Sequence, residues 1–272
     1  MNAHEAPPRP DFDAIVVGAG HNGLVTAAYL ARAGLSTLLI EARATVGGTA
    51  ASEQFGGATV NICNCDHLTF RTTPVMNELD LASFGLDYID VDPAQHNFSW
   101  SSAEVGQGWS HHHDLEATLD DLGTHFPGQV AGYRRYAAAA MPAVAMIFEA
   151  AAEPPSARAL TRLALRRRFR GAPTIMKWSR RSAAEVLRRY FDDEAVMGPA
   201  ALTGPMVWGI SPETPGSGLG ALTHAMRHVA RVGRPVGGSG QVPLALLRSF
   251  ESASGVLRTG SAVDTIMCSG NR

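Results

Sequence analysis

Cysteine is scarce, charge is nearly balanced, and no apolar run is long. Three cysteines, Cys63, Cys65 and Cys268, make neither a disulfide framework nor a zinc pattern. The C-x-C pair also lacks the spacing of a redox C-x-x-C, so the cysteines suit a reducing compartment. A formal net charge of −2 supplies no bulk electrostatic reason to bind nucleic acid. The longest apolar stretch, near Tyr136–Phe148, contains Pro142 and is too short to span a bilayer. The opening MNAHEAPPRPDF is polar and proline-rich, without the apolar centre of a secretory signal, and residues 1–10 read as a disordered lead-in. The expectation is a soluble, cytoplasmic protein. With 272 residues, 45% of them apolar, the chain can bury a sizeable core in one or two domains.

What the chain does have is concentrated in residues 11–50. Asp13 to Val17 reads as a buried strand, and Gly18, Gly20 and Gly23 then form G-x-G-x-x-G. Leu24, Ala27, Ala28, Leu30 and Ala31 follow at helical spacing, Gly34 ends the helix, and Ser36 to Ile40 reads as a second buried strand closed by Glu41. This strand–turn–helix–strand context makes the glycine motif specific. Gly18 permits the tight turn, Gly20 lets backbone approach a pyrophosphate, and Gly23 lets helix pack close to strand. The helix start, with Ala19 and Asn22 beside the glycines, offers unpaired N–H groups and a partial positive charge to phosphates. Glu41 stands where a carboxylate accepts hydrogen bonds from a ribose hydroxyl, and its charge disfavours the 2′-phosphate of NADP.

Directly after the second strand come Glu41-Ala42-Arg43 and Gly47-Gly48-Thr49. A simple NAD dehydrogenase has no reason for a basic residue and a glycine pair there. This E-x-R-x-x-x-G-G sequence resembles the flavin-dependent oxidoreductases of the amine oxidase and phytoene desaturase superfamily. GAGHNGLVTAAYLARAG is similar to the phytoene desaturase-like group, which includes animal proteins described as pyridine nucleotide-disulfide oxidoreductase domain-containing. The resemblance implies FAD as cofactor, held along this segment.

The middle of the chain is less specific. Cys63, Cys65 and His67 follow an expected strand at Ala58–Ile62; the resemblance brings that region towards the flavin, while a buried thiol pair and a loop histidine is the simpler reading. A helix is expected from Pro74 to Leu81, and strands at Tyr88–Val91 and Asn97–Ser101. His111-His112-His113 cannot present three ligands on one face of a helix or strand, so an exposed turn is expected, with no metal, ahead of a helix N-capped by Asp114. Residues 128–190 read as mainly helical, with Ser182-x-x-Glu185 a capping box. Eleven of the 23 basic residues lie between Arg158 and Arg189, countered there only by Glu185. A solvated face is one reading. The other is peripheral attachment to an anionic membrane through the 158–189 segment, with Leu160, Leu163, Leu165, Phe169, Ile175, Met176 and Trp178 interleaved. Nucleic acid ranks below both. Met206, Val207, Trp208 and Ile210 read as core or, second, as the lining of an apolar cavity. The glycines from Gly209 to Gly220 read as close packing or a loop over such a cavity.

Gly237-Gly238-Ser239-Gly240 leads into an amphipathic helix with Leu244, Leu247 and Phe250, and Val256–Thr259 and Ala262–Met267 read as two strands. This is similar to the return crossover into the flavin-binding sheet of the same superfamily, where the valine matching Val263 lies against the adenine. The resemblance implies an α/β fold: a Rossmann-like FAD-binding domain of glutathione reductase type with an inserted, mainly helical α+β substrate domain. The expected boundaries are 11–72 for the first FAD-binding segment, 73–230 for the substrate domain and 231–272 for the return segment. Gly270-Asn271 reads as a turn with a strand to follow. Family members continue beyond it to a helix facing the flavin N1 and C2 carbonyl, so the fold is expected to be C-terminally incomplete. The implied activity is dehydrogenation of an apolar, carotenoid- or lipid-like substrate by hydride transfer to flavin N5. An amine oxidase-type enzyme is one alternative; a non-catalytic nucleotide-binding fragment, self-associating or completed by another chain, is the other. No motif supplies a catalytic acid or base.

Overall fold

A computed structural model describes residues 11–63, 67–98, 106–152, 154 and 156–268. The chain folds as two compact units. The first comprises Met1–His67, Pro74–Ile89 and Arg234–Arg272; the second comprises Leu68–Thr73 and Asp90–Gly233.

The first unit begins with β1 (Ala14–Val17), α1 (His21–Arg32) and β2 (Thr37–Ile40). The two strands pair in parallel, Ala14 opposite Thr37 through Val17 opposite Ile40. Helix α1 forms because Leu24, Ala27, Ala28 and Ala31 recur on one face, and all four are buried. Gly34 adopts φ +87°, a conformation that ends helices because glycine has no Cβ to clash. Its N–H donates to Ala31 O at 2.9 Å. Strand β2 is buried at Thr37, Leu38 and Leu39 and half-buried at Ile40, close to what the sequence suggests. Strand β1 is not: Ile15 and Val17 are 60% and 50% exposed. The side-chain period of two sends them to the face of the sheet opposite α1, and among the described residues β1 is also an edge strand. A hairpin follows, β3 (Ser52–Phe55) and β4 (Ala58–Asn61). Pro74–Ile89 belongs to this unit, whereas the expected boundary lay at 73. Leu79, Leu81 and Leu86 in it are buried, and Ser249 Oγ donates to Leu79 O at 3.1 Å.

The second unit opens with an antiparallel hairpin, β5 (Gln95–Phe98) and β6 (Gly108–His111). The expected strand residues beyond Phe98 lie outside the described residues. Helices α2 (Leu115–His125), α3 (Val130–Ala151), α4 (Ala157–Arg166), α5 (Ala172–Trp178), α6 (Ala183–Leu187) and α7 (Glu194–Leu202) follow. Asp114 caps α2 by accepting from Ala117 N at 2.9 Å. The capping box on α6 is closed in both directions, Glu185 N to Ser182 Oγ at 3.1 Å and Ser182 N to Glu185 Oε2 at 2.9 Å. A tight helical segment, Ser217–Ala225, and α8 (Met226–Val229) complete the unit. The glycines here serve close packing: a Cβ on Gly218 would stand 2.2 Å from Trp178 O, and one on Gly204 2.4 Å from Gly220 O.

The core of this unit is aromatic. Trp109, Tyr133, Tyr136, Trp178 and Phe191 are buried together. Two of their polar tips reach backbone acceptors, Trp109 Nε1 donating to Ala195 O at 3.0 Å and Tyr136 OH to Ala221 O at 2.5 Å. Two expectations are corrected here. His111 is not in an exposed turn: it lies in β6, fully buried, because strand alternation puts Trp109 and His111 on the core face. It meets His228 Nε2 at 3.1 Å, Tyr133 OH at 3.3 Å and the ring of His224 at 4.6 Å. Burial, reinforced by the neighbouring cations and histidines, holds His111 and His224 well below the ordinary imidazole value. Second, Met206, Val207, Trp208 and Ile210 are not core but 41–70% exposed.

The chain then returns to the first unit through α9 (Gln241–Ser252) and β7 (Val256–Arg258). Strand β7 adds to β2 in parallel, giving the sheet order β1-β2-β7. Helix α9 buries Val242, Ala245, Leu246 and Phe250 and packs along α1. The small side chains Ala27, Ala28 and Ala31 permit that approach. Ala262–Met267 is not a strand. A strand requires a hydrogen-bonding neighbour, and no described segment pairs with these residues.

Candidate dinucleotide site

The site is built where β1 ends and α1 begins. Gly18 turns the chain at φ +95°, and its N–H donates to Ile40 O at 2.7 Å, fixing the turn to the end of β2. Helix α1 starts at His21 after Gly20, with no side-chain cap and no acidic residue in its first turn. Its leading N–H groups therefore face outward with an uncompensated positive end of the helix dipole. A Cβ on Gly20 would meet no protein atom within 4 Å. It would stand in the open space ahead of the helix, which the missing Cβ leaves free. A Cβ on Gly23 would instead lie 1.9 Å from Gly18 O. These two glycines answer different demands: one keeps the space ahead of the helix open, and the other lets the helix pack against the turn.

Glu41 ties the site together. Its Oε2 accepts from Ala19 N at 2.7 Å and its Oε1 from Arg43 N at 2.9 Å. The carboxylate thus bridges the glycine turn and the segment after β2. The second glycine pair is brought alongside the first: Gly47 N donates to Ala19 O at 2.8 Å, and Gly20 and Gly47 form a parallel bridge. A Cβ on Gly48 would stand 3.2 Å from Gly20 Cα, so both segments approach closely at that point. Gly47 and Gly48 adopt φ +125° and +57°.

The structure therefore brings together Gly18, Ala19, Gly20, Gly23, Glu41, Arg43, Gly47 and Gly48. Asn22, Ala42 and Thr49 lie in the same segments with their surfaces exposed. The return segment reaches the same place: Glu41 N donates to Arg258 O, Gly260 N to Arg43 O and Ser261 N to Glu41 O, at 2.8–2.9 Å. Val263 follows two residues later, 38% exposed and outside any strand. His67 is buried, with Tyr88 OH at 2.9 Å from Nδ1 and Ser239 Oγ at 3.0 Å from Nε2. Cys63 is exposed, and Cys65 lies outside the described residues.

The sequence alone did not single out Ser52 and Asn61. They hold the loop before α9 to the β3–β4 hairpin: Gly240 N donates to Ser52 Oγ and Ser239 N to Asn61 Oδ1, both at 2.9 Å. The available signal was the glycine run at 237–240, which needs partners for its backbone N–H groups. Among the described residues, no group of three or more His, Cys, Asp or Glu side chains is arranged to hold a metal ion.

Residues 16–79 match the NAD(P)-binding Rossmann-like domain family. The chain carries a Rossmann-like dinucleotide-binding domain. Several of its relatives carry oxidoreductase names. Over 110 residues it is 36% identical to a limonene dehydrogenase component of Castellaniella defragrans, covering 40% of this chain and 19% of that one. Over 266 residues it is 26% identical to a lycopene-forming phytoene desaturase of Pseudescherichia vulneris, covering 95% of this chain and 51% of that one. The structure of putrescine oxidase bound to putrescine superposes with a TM-score of 0.51 at 20% identity, over 92% of this chain and 51% of that one. The match thus extends over about half the length of the phytoene desaturase and less of the limonene protein. The fold is the mixed α/β architecture expected from the motifs. No helix among the described residues is long and apolar enough to cross a membrane.

Proposed function

We propose that the first unit binds FAD, and that the chain is the nucleotide-binding part of a flavin-dependent oxidoreductase acting on an apolar substrate. The observation that carries this reading is the Glu41 bridge. One carboxylate holds both the glycine turn and the segment bearing Arg43, Gly47 and Gly48, so the two halves of the motif form one surface. The amides at the start of α1 would take the pyrophosphate, and Glu41 would accept from the ribose hydroxyls. Arg43 would add a cation beside the phosphates, and the backbone leading to Val263 would border the adenine. When bound, the flavin supplies the two-electron acceptor that no side chain can provide. The protein's own part is to fix the dinucleotide by backbone groups that do not need to move. The exposed Met206, Val207, Trp208 and Ile210 of the second unit supply an apolar surface of the kind such a substrate needs.

A second reading is dinucleotide binding without turnover by this chain alone. The exposure of Ile15 and Val17 favours it, because that face of the sheet is uncovered by any described segment of the first unit. One experiment addresses both. The purified protein is incubated with FAD, desalted, and its visible spectrum recorded, with NAD in a parallel calorimetric titration. A retained flavin band near roughly 450 nm is expected. Retention with no reduction by apolar alkenes or amines selects the second reading. Tighter binding of NAD than of FAD overturns the flavin assignment.

A further inference from the structure

The second unit carries a surface that the dinucleotide site does not explain. Helices α4 and α5 are joined by the turn Arg167–Gly171, whose sequence with its leading residue is Arg-Arg-Arg-Phe-Arg-Gly. Arg168 and Phe169 both adopt left-handed backbone, φ +49° and +59°, a conformation that L side chains other than Asn and Asp avoid. The surroundings impose it. Gly171 is pressed against α3, where an added Cβ would lie 2.4 Å from Pro142 O, and Arg166 and Arg167 both pair with Glu149 of α3. Held in that way, the turn leaves Phe169 55% exposed between Arg168 and Arg170. A strained turn that exposes a large aromatic side chain points to a use for it.

The flanking helices extend the same chemistry. Arg158, Arg162 and Leu165 recur at spacings of four and three on α4, and Leu165 is 59% exposed. Pro173, Met176 and Lys177 lie on α5, Arg180 in the turn that follows it, and Met176 is 60% exposed. Arg158, Arg162, Arg168, Arg170, Lys177 and Arg180 have no acidic partner among the described residues. From Pro154 to Ala184 the sequence contains no aspartate or glutamate.

We infer that the segment from α4 through α5 is a docking surface for an anionic lipid bilayer, with Phe169, Leu165 and Met176 entering the interface and the surrounding cations meeting the headgroups. The interleaving decides between partners. Phosphates of a nucleic acid would satisfy the cations but leave the three apolar side chains in water. A bilayer interface satisfies both, since charge is attracted to the headgroup layer and apolar side chains are buried just beneath it. The inference does not rest on the dinucleotide reading, and its test uses no enzymatic activity.

The test is vesicle flotation of the full chain, which separates bound protein from aggregates because aggregates sink. Vesicles of phosphatidylcholine alone are compared with vesicles containing roughly one quarter phosphatidylglycerol. The protein is expected to float with the anionic vesicles only, and to be released by high salt. Phe169→Asn removes the apolar wedge while keeping a residue that tolerates left-handed backbone, so folding is preserved. It is expected to lower partitioning about tenfold. The variant R162Q/R170Q/K177Q/R180Q is expected to lower it by nearly three orders of magnitude, at about fivefold per charge. Failure to float, equal flotation with neutral vesicles, salt-insensitive binding, or unchanged partitioning of both variants overturns the inference. So does binding of a single-stranded RNA oligomer by a protein that leaves the vesicles unbound.

Discussion

The same substitution, glycine to alanine, is expected to have opposite signs at two helical positions. Gly23 is the third residue of α1, and Gly123 lies in α2. Alanine is favoured over glycine in a helix by about 0.8–1.0 kcal/mol at either place. What differs is the space a methyl group would enter. At Gly123 the new Cβ would sit 3.5 Å from Val130 Cγ2, an ordinary contact. Nothing opposes the propensity gain, so Gly123→Ala is expected to stabilise the second unit by about 1 kcal/mol. At Gly23 the Cβ would lie 1.9 Å from Gly18 O and 3.1 Å from Gly18 C. Relief requires moving a backbone carbonyl in a turn that Gly18 N fixes to Ile40 O, not rotating a side chain. Overpacking of that kind costs about 1–3 kcal/mol or more, which exceeds the helix gain. Because the displaced turn would hold the phosphates in the proposed complex, FAD retention should fall together with stability. Hydrogen exchange at the α1 amides reads the local stability, and the desalted flavin spectrum reads the binding. A Gly23→Ala protein with unchanged α1 protection and full flavin retention would refute the packing argument.

Three further outcomes follow from particular bonds. Glu41→Gln keeps a carbonyl oxygen for one amide but presents an NH2 group to the other, so it is expected to weaken FAD binding by about 1.5–3 kcal/mol, read by titration calorimetry. Tyr136→Phe leaves Ala221 O without its buried donor and is expected to destabilise the second unit by about 1–3 kcal/mol in urea unfolding followed by tryptophan fluorescence. The depressed imidazole values of His111, His224 and His228 mean that the unfolded chain binds more protons than the folded one below the ordinary value of 6.5. Stability of this unit should therefore be fully present above that pH and fall progressively as pH drops below it. A urea midpoint that does not move between neutral and mildly acidic pH, or that rises on acidification, contradicts this.

The dinucleotide unit was legible because each of its residues has a local reason. Gly18, Gly20, Gly23 and Glu41 sit at spacings that follow from one strand, one turn and one helix. The pairing of Gly20 with Gly47 was not legible: the resemblance set both segments along one cofactor, but no local rule brings residues so far apart in sequence together. His111 shows the opposite case. Three consecutive histidines look like a surface turn, but the strand alternation beginning at Trp109 overrides polarity and buries the first of them. Burial of a polar side chain is decided by neighbours distant in sequence, here Tyr133, His224 and His228. Ala262–Met267 failed for a related reason: apolar alternation states a preference for strand, but pairing needs a neighbour. The exposure of Met206–Ile210 was equally hidden, because an apolar run reads the same whether it is covered or open.

In the proposed complex, the Glu41 bridge would also bear on how tightly the dinucleotide is held. A carboxylate has about four lone-pair sites, and Glu41 uses one on each oxygen for Ala19 and Arg43. Ribose hydroxyls can therefore be added without displacing either amide. Freezing a glutamate side chain costs about 1.5–2 kcal/mol of rotamer entropy, and here the fold has already met that cost before any dinucleotide arrives. Affinity at this end of the site is thus set by chain folding as much as by contact, and a change that loosens Ala19 or Arg43 would weaken binding without touching the ligand.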